Sequence, residues 1–212
     1  MNPFKRSLVV LFAVVLAAAW AGWAAAQEEA AAPTAQEGEA PAADPAMEAM
    51  MASMAPGAQH AMLGSMAGTW SFTMTFWMEP GAPPQTATGT AERTMAFDGR
   101  VLEERVSSDI MGMPFQGVGH TGYDNVTGEW WSTWMDNMGT GVILMKGTVD
   151  EETHTATWEG EMSDPMAGGK RPMKIVMRHE GPDKEVSEFY GPNPAGGGEM
   201  VKTMEIVYER QE

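Results

Sequence analysis

From Gly68 to its end the chain alternates apolar and polar side chains with a period of two, interrupted by turn signals about every ten residues. Successive side chains leave opposite faces of a pleated strand, so this period is that of strands with one buried face. Trp70, Phe72, Met74, Phe76 and Met78 alternate with Ser71, Thr73 and Thr75, and residues 86–97 alternate in the same way. Further strands are predicted over 100–110, 115–124, 129–136, 141–149, 154–162, 171–179, 185–190 and 199–210. Ten strands with short connections predict an all-β fold, a ten-stranded antiparallel up-and-down barrel. A two-sheet sandwich is the alternative. A short helix, with Met62, Leu63 and Met66 at helical spacing, is predicted to precede the first strand.

Such a fold must stand on its core, because none of the 212 residues is cysteine. Disulfides, thiolate metal centres, thiol catalysis and a lipid anchor on cysteine are excluded together. The formal charge of -16, from 13 basic and 29 acidic residues, argues against nucleic acid, whose binding needs a basic face to release counterions.

Lys5 and Arg6 precede an uncharged apolar run from Leu8 to Trp23, and Ala24-Ala25-Ala26 follows. A basic start, an apolar stretch and small residues at the cleavage point make a secretory signal peptide over 1–26. A periplasmic or secreted location is therefore expected. If the segment stays uncleaved, its 19 residues from Leu8 to Ala26 approach a bilayer span, and that is the one membrane contact foreseen.

Residues 27–56 hold Ala, Pro, Glu and Met with no aromatic side chain and no Lys or Arg, so a disordered linker is expected before a domain over 57–212. Within the linker, Met47, Met50, Met51 and Met54 would share a face if Pro45 started a helix, and thioethers are soft ligands suited to Cu(I). Yet the methionine excess, 21 in all, runs through the whole chain. Beyond residue 26 there are only three leucines, Leu63, Leu102 and Leu144, so methionine is expected to fill core positions that leucine usually takes.

Gly68-Thr69-Trp70, opening a strand after a short helix, resembles the start of a lipocalin-type barrel. Added to it are Asp98-Gly99-Arg100-Val101-Leu102-Glu103-Glu104, Gly119-His120-Thr121-Gly122-Tyr123-Asp124 and Trp134-Met135-Asp136-Asn137-Met138. This ordered set resembles the bacterial domain of unknown function 1579 family over about residues 57 to 212. Asp98-Gly99 stands where the family carries a glycine pair, a departure that keeps the turn. The resemblance implies a lipocalin-like barrel and no established activity. At the barrel seam, Met200, Met204, Ile206 and Tyr208 of the last strand share one face with Lys202 and Arg210, and the apolar majority puts that face inside. With an even number of antiparallel strands the first and last meet head to tail, which brings Trp70 beside Arg210, and lipocalin-like barrels show a similar Trp–Arg stack at the closed end, leaving the far end as the ligand's door.

Two constellations point into the barrel. If Asp98-Gly99 is a two-residue turn, Phe97 faces Arg100, Met95 faces Leu102, Arg93 faces Glu104, and Ala91 faces Val106. The apolar members mark the inward face, so Arg93 and Glu104 lie inside. They form either a self-satisfied ion pair that sets register or an Arg with spare donors for a ligand's carboxylate head. If the next turn is Asn125 to Gly128, Tyr123 faces Trp130, Thr121 faces Ser132 and Gly119 faces Trp134. Tyr123, Trp134, Asp136 and Trp158, with Met74, Met95, Met173, Met177 and Met204, then surround either an apolar cavity or a filled methionine core.

Nothing here has an enzyme's spacing. No phosphate loop, zinc helix or nucleophile elbow is present, and the histidines give no ligand spacing, although a barrel could bring His120 near His154 for haem or a metal. The first reading is an exported, non-enzymatic barrel without a cofactor, holding a small apolar or amphipathic molecule. A methionine-rich copper-binding or oxidant-buffering protein is the alternative, and a hydrolase or isomerase using Asp136 and His120 comes third.

Overall fold

A computed structural model describes residues 44–78, 83–165, 167–193 and 198–212. The expected signal peptide lies outside them. Two helices, α1 (Pro45–Met54) and α2 (Ala58–Ser65), precede five strands, β1 (Gly68–Phe76), β2 (Gln85–Ala96), β3 (Val101–Ile110), β4 (Met113–Asp124) and β5 (Glu129–Asp136). Five more follow, β6 (Ile143–Asp150), β7 (Thr155–Asp164), β8 (Gly169–His179), β9 (Lys184–Pro192) and β10 (Met200–Arg210). All pair antiparallel with their sequence neighbours, and β1 pairs with β10, giving a closed ten-stranded up-and-down barrel rather than a sandwich.

Closure follows the expected geometry. Trp70 is the partner of Arg210, and the Arg210 guanidinium carbon lies 4.3 Å from the centre of the Trp70 ring. Arg210 also donates to the carbonyls of Ser65, Ala67 and Pro182 at 2.8, 2.6 and 3.2 Å, so it ties α2 and the 180–183 turn to the seam.

The β2–β3 register is the expected one, with Met95 opposite Leu102, Arg93 opposite Glu104 and Ala91 opposite Val106. The turn itself differs. Strand pairing stops at Ala96 and Val101, leaving a four-residue loop in which Phe97, Asp98 and Gly99 all adopt positive φ (51°, 53° and 84°). Arg100 holds that loop by donating to the carbonyls of Phe97 and Met54, so the strands lose one residue each and the register is unchanged.

A second difference lies in β10, where Lys202 was expected to share the inner face with Met204. A bulge between Lys202 and Met204 turns Lys202 outward, where it donates to Glu188 at 3.2 Å and Glu205 at 2.7 Å. Burying an ammonium in an apolar wall is costly, and one extra residue in the strand avoids it.

The stretch expected as a disordered linker is helical over Pro45–Met54, started by Asp44, whose carboxylate accepts from the Ala46 N–H at 2.9 Å. None of α1 is buried. It meets the barrel through carbonyls near its end: Asn125 donates to Ser53 and Ala55, and Arg100 to Met54.

Leu63 of α2 is buried under the barrel end, with Trp130 and Trp158 in the same cluster. Methionine as a core filler holds only in part. Met74 and Met145 are buried, but ten methionines among the described residues are exposed, including those of α1 and Met78, Met111, Met113, Met138 and Met162 near strand ends.

Candidate ligand cavity

All ten strands wall a cavity of about 1270 Å³, larger than the roughly 300–1,000 Å³ of ordinary small-molecule pockets. The sequence left a filled core open as an alternative; the barrel is hollow. Its wall is aromatic, with Trp70, Phe72, Phe115, Trp130, Trp134 and Trp158 facing in. Glycines make room for these rings. A Cβ on Gly117 would lie 2.3 Å from Trp134, and one on Gly147 2.6 Å from Trp158, so each indole lies flat over a bare stretch of the neighbouring strand. The Trp158 indole N–H is buried with no acceptor among the described residues.

The lining runs out to exposed Met78 and Met162 and to Arg171, at the end where β1, β3, β5, β7 and β9 finish. This is the mouth expected opposite the Trp70–Arg210 stack. The other end is not wholly sealed, since the lining also reaches Glu151, His154 and Pro182. An eight-residue helix is only about 12 Å long, and the backbone of α2 lies nearest β2–β4.

A charge cluster sits in the inner wall beside β1. Arg93, 4% exposed, donates from Nε to Glu104 at 2.8 Å, as expected across that hairpin. It also makes a bidentate pair with Glu185 of β9, Nη1 to Oε2 at 2.8 Å and Nη2 to Oε1 at 3.0 Å. Glu185 is fully buried and takes a further bond from Ser187 at 3.3 Å. The rings of Trp70 and Tyr208 flank the guanidinium at 4.9 and 4.6 Å.

Burial alone would lower the Arg93 pKa, but the Glu185 and Glu104 carboxylates outweigh it and hold the guanidinium charged above its usual range. Burial, followed by the negative charge of Glu104, pushes the Tyr208 hydroxyl well up. His179, whose Nδ1 lies 3.7 Å from Glu185, is lowered, chiefly by burial, with Arg93 acting in the same direction against Glu185. It is therefore neutral at pH 7.

Glu185 escaped the sequence reading. The signal was there, because inward Tyr208 and Ile206 stand opposite Glu185 and Ser187. The bulge in β10 hides that register from a strict alternation count. Both terminal nitrogens of Arg93 go to Glu185, in addition to the Nε bond to Glu104.

Trp134, Asp136 and Trp158 line the cavity, as do Met74, Met173, Met177 and Met204. Trp134 donates its indole N–H to Asp136 at 2.8 Å, and Met138 donates its backbone N–H to the other oxygen of Asp136 at 2.9 Å. Tyr123 and Met95 are not in the wall. Tyr123 faces Trp130 as expected, but the His60 ring of α2 sits 6.2 Å from it and Met95 packs below Gly64. The helix takes both for its own seat.

His120 lies on the outer surface, 3.3 Å from Glu103 and from Thr133, whereas His154 stands in a turn at the end of β6 and Asp136 lies inside. The barrel wall thus separates His120 from both partners considered for it. Among the described residues no three His, Asp or Glu side chains gather as a metal site. In α1, Met47, Met50, Met51 and Met54 are all half or more exposed.

A family profile described as "Protein of unknown function (DUF1579)" matches residues 55–210. No curated protein matches the sequence. The crystal structure of Rv2717c from M. tuberculosis aligns with a TM-score of 0.54 at 13% identity, covering 74% of this chain and all of that one. A redesigned β-barrel aligns with a TM-score of 0.36 at 16% identity, covering 71% of this chain and 95% of that one.

Proposed function

This chain belongs to the DUF1579 family of proteins of unknown function, and on that footing we propose that it is an exported, non-enzymatic binding protein that holds a small, mostly apolar molecule inside its barrel. The observation that carries this reading is the hollow interior. A chain of this size gains stability by closing its core, and each void left forfeits dispersion contacts. Here cross-strand glycines flatten the indoles against the wall and keep about 1270 Å³ free. Export rests on the basic, apolar and small-residue leader of residues 1–26.

Native mass spectrometry of the protein purified from its own host tests this. A noncovalent adduct of a few hundred daltons, lost on denaturation, is expected. Protein that runs at its bare mass from gentle extraction, and takes up no hydrophobic probe afterwards, would overturn the reading.

A second function for α1 is favoured by its geometry, since Met47, Met50, Met51 and Met54 are exposed at i, i+3, i+4 and i+7 of one helix. Soft thioethers so placed suit Cu(I). Replacing all four by leucine keeps the helix and should abolish Cu(I) binding; unchanged affinity would remove this function.

A further inference from the structure

Taking the interior as a ligand site, we infer that its guest presents a hydrogen-bond donor, a protonated amine in the strongest case, to the carboxylate of Glu104, and does not present a carboxylate to Arg93. Three cationic side chains line the cavity, and each is taken. Arg93 is held by Glu104 and, bidentately, by Glu185. Arg171 pairs with Asp164 at 2.8 Å. Arg210 donates to three carbonyls and pairs with Asp183.

Six acidic side chains line the cavity: Asp150, with two bonds from its own turn, and exposed Glu151 lie at one end, Asp164 pairs with Arg171 at the other, and within the barrel Glu185 is fully used and sealed while both oxygens of Asp136 accept bonds. Glu104 is different. Its Oε1 accepts from Arg93, its Oε2 has no hydrogen bond among the described residues, and the residue keeps 20% of its side chain accessible while lining the cavity.

Charge points the same way. One guanidinium against two carboxylates leaves the cluster at -1 with His179 neutral. In a low-dielectric wall a second anion would be repelled, whereas a cation or a hydroxyl donor completes the set. The Trp134 ring lies against Gly119, the cross-strand partner of Glu104, and indole is the strongest aromatic partner for an organic cation.

The test uses three probes with the same ten-carbon chain, decylammonium, 1-decanol and decanoate, titrated below their micelle concentrations at pH 7.5. Binding is read by tryptophan fluorescence of the full chain. Decylammonium should bind at least tenfold tighter than decanoate, with decanol between them. In Glu104→Gln the amine and alcohol should converge to within about threefold, with decanol binding retained as the sign of an intact barrel. Glu159→Gln, which removes the same charge from the exposed outer wall, should leave the preference in place.

Decanoate binding as well as the amine, or an amine preference that survives Glu104→Gln or falls equally in Glu159→Gln, would overturn the inference while leaving the ligand site standing. Failure of all three probes to bind saturably would instead strike the proposed function itself.

Discussion

Replacing Arg93 by methionine should be among the most damaging single changes in the domain. The substitution keeps an unbranched side chain beside Trp70 and Tyr208 but strands Glu185, which is 0% exposed and, among the described residues, has only neutral His179 otherwise within ion-pair distance. Breaking a buried pair by removing one partner costs about 3–5 kcal/mol. The double change Arg93→Met with Glu185→Leu removes the stranded charge and should recover at least 2 kcal/mol of that loss, a coupling well above the roughly 0.5 kcal/mol of independent sites. The contacts of the guanidinium with Trp70 and Tyr208 are lost in both variants and cancel in the comparison.

Pairing Arg93→Met with Glu104→Leu instead should recover less than 1 kcal/mol, because Glu104 already reaches the cavity. Urea unfolding followed by tryptophan emission supplies the free energies. An Arg93→Met protein within 1 kcal/mol of the parent, or a double variant no more stable than the single one, would refute the reasoning.

Other outcomes follow from the same geometry. Gly147→Ala puts a Cβ 2.6 Å from the Trp158 ring and should cost about 1–3 kcal/mol by urea unfolding, with shifted Trp158 emission as the ring is driven inward. Arg210→Gln loses three bonds to carbonyls and the stack on Trp70, and should cost about 2 kcal/mol. Glu188, held at a pKa of about 2 chiefly by its bond from Arg178, with Lys202 and Tyr190 helping, contributes stability that is present above its unfolded value of 4.5 and lost as pH falls towards 2. Glu188→Gln should flatten the acid limb of the stability curve by about 1–2 kcal/mol at this screened surface position.

How far the fold could be read ahead of the coordinates depended on what each signal required. Strand number, the β2–β3 and β4–β5 registers and the Trp70–Arg210 seam need only alternation and turn position, and all of them hold. Positions set by contacts between distant segments were not legible. Tyr123 points inward as its parity demands, yet α2 covers it, and nothing in a strand pattern says where a helix will lie. Glu185 comes to Arg93 from a strand 92 residues away, in a register that the β10 bulge shifts. The exposed methionines mark the opposite failure. Composition identified an excess but could not divide it between wall, rim and α1.

The central claim is that the interior is an accessible binding cavity, and quenching of tryptophan fluorescence by a bromine-labelled alkanol tests it most directly. Trp70, Trp130, Trp134 and Trp158 all line the cavity, so a guest there carries bromine against several indoles at once. The barrel described here predicts a saturable loss of emission at one equivalent of bromoalkanol, reversed by excess unlabelled alkanol. Quenching that rises linearly without saturation, as for tryptophan free in solution, would contradict it.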